Sequence, residues 1–234
     1  MPDQTVVPIE FVTGGLRRLN AFVVTGPRPF LVDTGVPGSV PAILGKLEEL
    51  GIEPTDIALI VVTHTHVDHA GSAAELQSIT GAPILAQRHD AAAMAEGASE
   101  PAVGRTPAAK GFAEQIAARM ATAPAGPAYP PVSATTVVDD AANLSEFGVD
   151  ARVIHTPGHT AGGLTIVLGN DEAIVGDLIG SSDGNPALAG FATDETAMVD
   201  SIRRVLALEP AVVHTCHDGA FDLAMLLDAF AFLA

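Results

Sequence analysis

The stretch "VVTHTHVDHAG", Val61 to Gly71, sets three histidines and an aspartate within six residues, directly behind a run of aliphatics. On a tight turn after a strand, His64 and His66 point to the same side. Asp68 and His69 then open the following helix and turn toward a neighbouring point. Neutral imidazole nitrogens and carboxylate oxygens are the donors that suit zinc and other borderline first-row cations. The cluster reads as metal-ligating and catalytic rather than as a set of structural caps.

More donors occur at the ends of other apolar runs. "HTPGHTAGG" supplies His159 after a Pro-Gly turn, "IVGDLIG" supplies Asp177, and "VVHTCHDGAF" supplies His217. A carboxylate buried behind a strand is costly unless paired or bound to a cation. Several such groups at strand termini argue for one shared cationic centre. Seven side chains exceed the needs of one four-coordinate ion and suit two ions with a bridge. His155 and His214, near the ends of the runs that lead to His159 and His217, are expected to support the ligands rather than bind metal. His89 reads as a surface or capping residue. Cys216 has no second sulfur near it and reads as a small buried hydrophobe.

Outward from these motifs the chain alternates strands and helices. "VVPIEFV", "NAFVVT" and "PFLVDTG" are strand-like. "VPAILGKLEELGI" has helical spacing, with Ser39 as its cap and Gly51 at its close. "DIALIVVTH" has the length and continuous apolarity of a strand covered on both faces. "AGSAAELQSITGA" returns to helix and "PILAQ" to strand. Residues 88–131 are rich in Ala, Pro and Gly, contain Tyr129 and one helix near Gly111 to Met120, and read as a lid or insertion. "TTVVD", "DARVIHT", "GLTIVLG" and "EAIVGD" come next as strands. "DETAMVDSIRRVLAL" is a helix, "AVVHTC" a strand and "FDLAMLLDAFAFLA" a closing helix. The pattern predicts an α/β fold in four layers, α/β/β/α, as a single domain over residues 1–234 with the insertion inside it.

Bulk properties narrow the partners. The 234 residues carry 28 acidic against 11 basic side chains, a net charge of -17, which repels polyanions. The basic pairs Arg17-Arg18 and Arg203-Arg204 read as solvated faces. No nucleic acid and no membrane is expected as partner, since no run of 18 apolar residues occurs. The beginning, "MPDQTVVPIEF", lacks a basic region followed by an apolar core, and the lone Cys216 excludes an internal disulfide framework, so the cytoplasm is the expected compartment. A homodimer is left open.

The ligand pattern resembles that of the metallo-β-lactamase-fold hydrolases, whose signature is His-x-His-x-Asp-His followed by a separate His, Asp and His. The likeness covers nearly the whole chain, and within the superfamily it points to the glyoxalase II and lactonase-like branch. It implies a four-layer αββα sandwich with a dinuclear site at one edge between the sheets. It also implies that His64, His66 and His159 bind one metal and Asp68, His69 and His217 the other, with Asp177 bridging. Asp33 in "FLVDTG" matches a family aspartate that supports the metal-binding loops. The implied cofactors are two divalent ions, zinc first, with iron or manganese as alternatives.

Such a centre lowers the pKa of a shared water toward neutrality and polarises a carbonyl oxygen. Asp68 holds the second metal or orients the hydroxide and passes its proton on. No G-x-S-x-G motif is present. The expected reaction is hydrolysis of a thioester, lactone or related bond in a small acyl compound, with the 88–131 insertion and "SSDGNPALAGFATDE" walling the site. Two departures bear on the substrate. Glyoxalase II-type enzymes carry a helical domain after the last His, and acyl-homoserine lactonases a Tyr after the bridging Asp, where this chain has "DLIGSS". The alternatives are a β-lactamase and a mononuclear iron dioxygenase like the persulfide dioxygenases, built on His64, His159 and Asp177.

Overall fold

The computed structural model of the chain describes residues 4–12, 18–122 and 126–233. Arg17 of the first basic pair lies outside them, as do residues 123–125 of the insertion and the final Ala234.

Strands β1 (Val6–Val12), β2 (Arg18–Val24) and β3 (Phe30–Val32) pair antiparallel. β4 (Ile60–Val61), β5 (Ile84–Gln87) and β6 (Thr136–Val138) then join β3 in parallel, giving a six-stranded sheet in the order β1-β2-β3-β4-β5-β6. Parallel neighbours need crossover connections, and helices supply them. α1 (Val40–Glu49) follows β3, α2 (Val67–Ala70) and α3 (Ala73–Thr80) follow β4, and α4 (Arg88–Glu96) follows β5. Val40, Ile43 and Leu47 of α1, Leu76 of α3 and Met94 of α4 are buried in one cluster with Phe22, Leu31, Ile60 and Leu85 of the sheet.

A second six-stranded sheet faces the first. Its strands are β7 (Ala141–Asn143), β8 (Ala151–His155), β9 (Leu164–Leu168), β10 (Glu172–Ile174), β13 (Val212–Thr215) and β14 (Gly219–Asp222), in the order β14-β13-β10-β9-β8-β7. Period-two alternation divides its side chains between two clusters. Ile166 and Ile174 join the core shared with the first sheet, while Ala173 and Val213 pack outward. The outer cluster is completed by Met198, Ile202 and Val205 of α6 (Glu195–Leu206) and Leu226 of α7 (Leu223–Ala229). Asp194 and Asp222 cap these two helices by accepting from the Ala197 and Met225 amides. The four expected layers are therefore present, helix, sheet, sheet and helix.

Several local expectations are corrected. α4 belongs to the first helical layer, because it is the crossover between parallel β5 and β6 and buries Met94 fully. The excursion above the fold is thus 97–131, with α5 (Pro107–Thr122) as its helix. Tyr129 is 2% exposed and donates its hydroxyl to Ala98 O, so it is part of the core. Ser39 makes no side-chain cap, and its own amide donates to Ser72 Oγ. The start of the "DIALIVVTH" run is bent into a 3-10 turn at Pro54–Asp56, leaving ladder pairing to Ile60–Val61. "SSDGNPAL" is a hairpin of β11 (Ile179–Ser182) and β12 (Asn185–Leu188), closed by Asp183 and Gly184 at positive φ. The closing helix ends at Phe230 and gives way to a 3-10 turn. Among the described residues no helix is long and apolar enough to cross a membrane.

Candidate metal centre

All seven expected donors meet at one end of the sheets. His64 and His66 stand on the turn that leaves β4, and His66 is the N-cap of α2, which carries Asp68 and His69 in its single turn. His159 and Asp177 each follow a glycine. Gly158 has φ +136, and a Cβ there would sit 2.3 Å from the Met198 backbone. Gly176 has φ +57, and a Cβ there would sit 2.9 Å from Thr63 Oγ1. Both turns need a residue without a side chain to bring the next residue into the cluster.

The donors fall into two groups that share a member. His66 Nδ1 lies 3.1 Å from both His64 Nε2 and His159 Nε2. His217 Nε2 lies 3.5 Å from Asp68 Oδ2, and His69 Nε2 lies 3.9 Å from it. Asp177 Oδ2 faces both groups, 3.6 Å from His159 Nε2, 3.5 Å from His69 Nε2 and 3.2 Å from His217 Nε2.

Hydrogen bonds behind the cluster determine which nitrogens face inward. Asp33, fully buried in the left-handed region at φ 62, takes the Thr63 amide on Oδ1 at 2.7 Å and the Thr63 hydroxyl on Oδ2 at 2.8 Å. With its proton given to Asp33, Thr63 Oγ1 accepts from His64 Nδ1 at 3.0 Å. Asp33 Oδ2 also accepts from His69 Nδ1 at 2.8 Å, and Phe191 O accepts from His159 Nδ1 at 3.1 Å. Each Nδ1 therefore carries a proton, and the Nε2 atoms of His64, His69 and His159 face the centre. Asp33 thus sits where the sequence placed it, beneath two of the loops.

Electrostatics separates the groups. Burial drives His64 well below its ordinary pKa, His66 down to about 3 and His159 down as well, so these three are neutral. Burial acts the same way on His69 and His217, but the carboxylates facing them outweigh it. Asp177, Asp33 and Asp68 raise His69 well above its usual value, and Asp177 with Asp68 raises His217 to about 10. Burial works to raise Asp68 and Asp177, and the adjoining histidines hold both below the usual carboxylate range.

This arrangement fits divalent cations. Neutral nitrogens converge at 3.1 Å with too few protons to pair them. Among the described residues, His69 Nε2 and Asp177 Oδ1 are buried with no hydrogen-bond partner, as is the second ring nitrogen of His66. Such orphans are expensive unless a cation takes the place of the missing partners. His64, His66 and His159 form an all-imidazole group and Asp68, His69 and His217 a mixed imidazole and carboxylate group, both suited to zinc-type sites.

Of the remaining residues, His155 donates through Nε2 to Ala161 O, 2.8 Å away on the loop behind His159. Among the described residues His214 makes no hydrogen bond to a metal-facing side chain. Its Nε2 meets Glu172 Oε2 at 2.6 Å and its ring lies edge-on to Phe22, so it links strands instead of supporting ligands. His89 is exposed on α4. Cys216 is buried, gives its thiol to Asp33 Oδ2 at 3.4 Å and is raised well above its usual pKa by burial, which keeps it a thiol. Thr63 and the Phe191 carbonyl are additions to the expected set. Thr63 stands in the quoted stretch, but its role follows only from the nearness of Asp33. Nothing local marks Phe191.

The metallo-β-lactamase superfamily model matches residues 14–217, and the chain belongs to that superfamily, a class of metal-dependent hydrolases. Among curated relatives, a probable metallo-hydrolase of Methanocaldococcus jannaschii is 26% identical over 160 residues, covering 68% of this chain and 66% of its own length. One from Burkholderia pseudomallei is 26% identical over 191 residues, covering 77% of this chain and 57% of its own. The chain thus spans less than two thirds of either relative. Among solved structures, a metallo-β-lactamase family protein from Thermus thermophilus superposes with TM-score 0.70 at 21% identity, covering 100% of this chain and 79% of its own. The Rm3 metallo-β-lactamase gives 0.65 at 23%, covering 94% and 87%. A protein solved in a di-iron-bound form also gives 0.65 at 23%, covering 93% and 96%. These likenesses establish the fold.

Proposed function

We propose that the chain is a dinuclear metal-dependent hydrolase of ester-like bonds, with thioesters and lactones as its substrate class. In this reading His64, His66 and His159 hold one cation and Asp68, His69 and His217 the other. The observation that carries it is Asp177 Oδ2, a single oxygen turned to Nε2 atoms of both groups. Imidazole and carboxylate donors favour zinc, with iron or manganese as competitors.

Bound there, two divalent cations would acidify a water and polarise a carbonyl oxygen. The remaining tasks fall to the chain. Asp68 has a side chain 34% exposed, against 13% for Asp177 and 16% for His217, so it is the carboxylate open to an incoming substrate. It orients the attacking water and passes the proton taken from that water to the departing sulfur or oxygen. The buried His64, His69 and His159 close the site from behind. Cys216 is inaccessible as a nucleophile.

The engagement of the guanidinium beside the site favours a carbonyl substrate over a phosphate. Arg105, on the segment packed beside His159's support, has its Nη1 committed to Ala189 O and its Nη2 to Glu195. The mononuclear iron alternative needs only His64, His159 and Asp177, and the complete second donor group beside them favours hydrolysis. A β-lactam is the second substrate reading, motivated by the β-lactamase among the fold neighbours. The test is a screen of zinc-loaded protein against thioesters, lactones and β-lactams, with His66→Ala and Asp177→Ala as controls. Turnover of a thioester or lactone that both substitutions abolish, while the fold survives, is the expected result. Activity in either variant equal to that of the unaltered chain contradicts the mechanism.

A further inference from the structure

We infer that Arg105 is a positioning residue for the first cation group, and that the 97–131 excursion is coupled to that group through the carbonyl of Phe191. The inference rests on the reading of His64, His66 and His159 as a cation site.

The imidazole of His159 is oriented by Phe191 O at 3.1 Å. Phe191 lies between β12 and α6, outside both large sheets, so other contacts must hold its carbonyl in place. On one side the Thr193 amide donates to Gly158 O at 2.8 Å, which ties the segment to the turn before His159. On the other side the excursion supplies the partner. Gly104 and Phe191 form an isolated antiparallel bridge, the Arg105 amide donates to Gly190 O at 2.8 Å, and the Ala192 amide donates to Val103 O at 2.9 Å. The Arg105 guanidinium adds two charge-assisted bonds, to Ala189 O at 3.0 Å and to Glu195 Oε2 at 3.1 Å. It thereby spans the run from the end of the hairpin to the first turn of α6, with Phe191 in between.

The same bridge is anchored in α5. A Cβ on Gly104 would sit 2.3 Å from the Lys110 amide, so the bridge segment lies flush on the helix, and the Phe112 ring of α5 is tilted against the Phe191 ring with centroids 6.1 Å apart. The path therefore runs α5, Gly104–Arg105, Phe191 carbonyl, His159. Outer partners of a ligating histidine fix its tautomer and ring orientation, and removing one typically costs about 10–100-fold in metal affinity. Coupling of this kind is reciprocal: if the excursion steadies His159, a cation on His159 steadies the excursion.

The test uses the full chain and two readouts. Zinc affinity of each site is measured by competition with a chromophoric chelator, the second site being assigned by its loss in His217→Ala. Arg105→Ala is expected to weaken the first cation by roughly tenfold and to leave the second unchanged. Hydrogen exchange of the unaltered chain is followed with and without zinc. Protection of the Arg105 and Ala192 amides is expected to rise on loading, and the rise to vanish in His159→Ala. If Arg105→Ala does not fold, Glu195→Ala replaces it, with a smaller loss in the same direction expected. An unaltered first-site affinity in the folded variant, or exchange at those amides indifferent to zinc, overturns the coupling alone. An unaltered chain that takes up no zinc overturns the cation site as well.

Discussion

Asp33 Oδ2 stands 2.8 Å from His69 Nδ1, buried on both sides, and this one contact obliges His69 to present Nε2 to the metal cluster. Asp33→Asn would offer an amide whose donor face conflicts with the Nδ1 proton. The second cation should then bind about 10–100-fold more weakly, as for other outer partners of ligating histidines. Competition titration with a chelator measures it, and equal affinity in the variant would refute the role assigned to Asp33.

Gly176→Ala tests the turn that delivers Asp177. Its positive φ and the 2.9 Å approach of an added methyl to Thr63 Oγ1 make the substitution strained. A loss of ~1–3 kcal/mol is expected from the left-handed backbone and the crowding together. Thermal melting of the metal-free chain checks it, and an unchanged midpoint would show that the turn relaxes.

Asp90 supplies a pH dependence. Its carboxyl is fully buried on α4, with Oδ1 accepting from Thr65 Oγ1 at 3.4 Å and Oδ2 unpartnered among the described residues. Burial first, and then the nearby Glu100, push it up to about 8. Because the folded value is raised above the unfolded one, the protonated acid favours the fold at low pH. That stability is fully present below about pH 4 and is lost as pH rises toward 8, with a limiting slope of about 1.4 kcal/mol per pH unit. Asp90→Asn stays neutral throughout. The variant should therefore gain on the unaltered chain as pH rises from about 5 to about 8, in melts of metal-free protein, and parallel curves would contradict the assignment.

Zinc itself should stabilise the fold, since the orphaned His69 Nε2 and Asp177 Oδ1 acquire partners. At a thousandfold excess over the dissociation constant one site contributes about 4 kcal/mol. Melting with zinc and with a chelator measures this, and identical midpoints would count against both sites.

The legibility of these features in the sequence tracks their locality. His64, His66, Asp68 and His69 are readable because a single turn holds them, and the apolar run before Asp177 marks a strand end. Asp183-Gly184 carries a hairpin signal that is easily missed, because the strands beside it are only four residues each. α4 reads as part of the insertion because its Ala-rich composition matches that of residues 97–131; its burial against β5 and β6 is a tertiary fact. Thr63, the Phe191 carbonyl and Arg105 act through partners 30 or more residues away, Asp33, His159 and Ala189 respectively, and such contacts leave no local pattern.

The most direct measurement is the zinc content per chain at saturation, for the unaltered protein and for Asp177→Ala. Two equivalents are predicted for the former, with both bound more weakly once the shared carboxylate is removed. A single equivalent in the unaltered chain, or two held as tightly without Asp177 as with it, would contradict the shared-carboxylate centre.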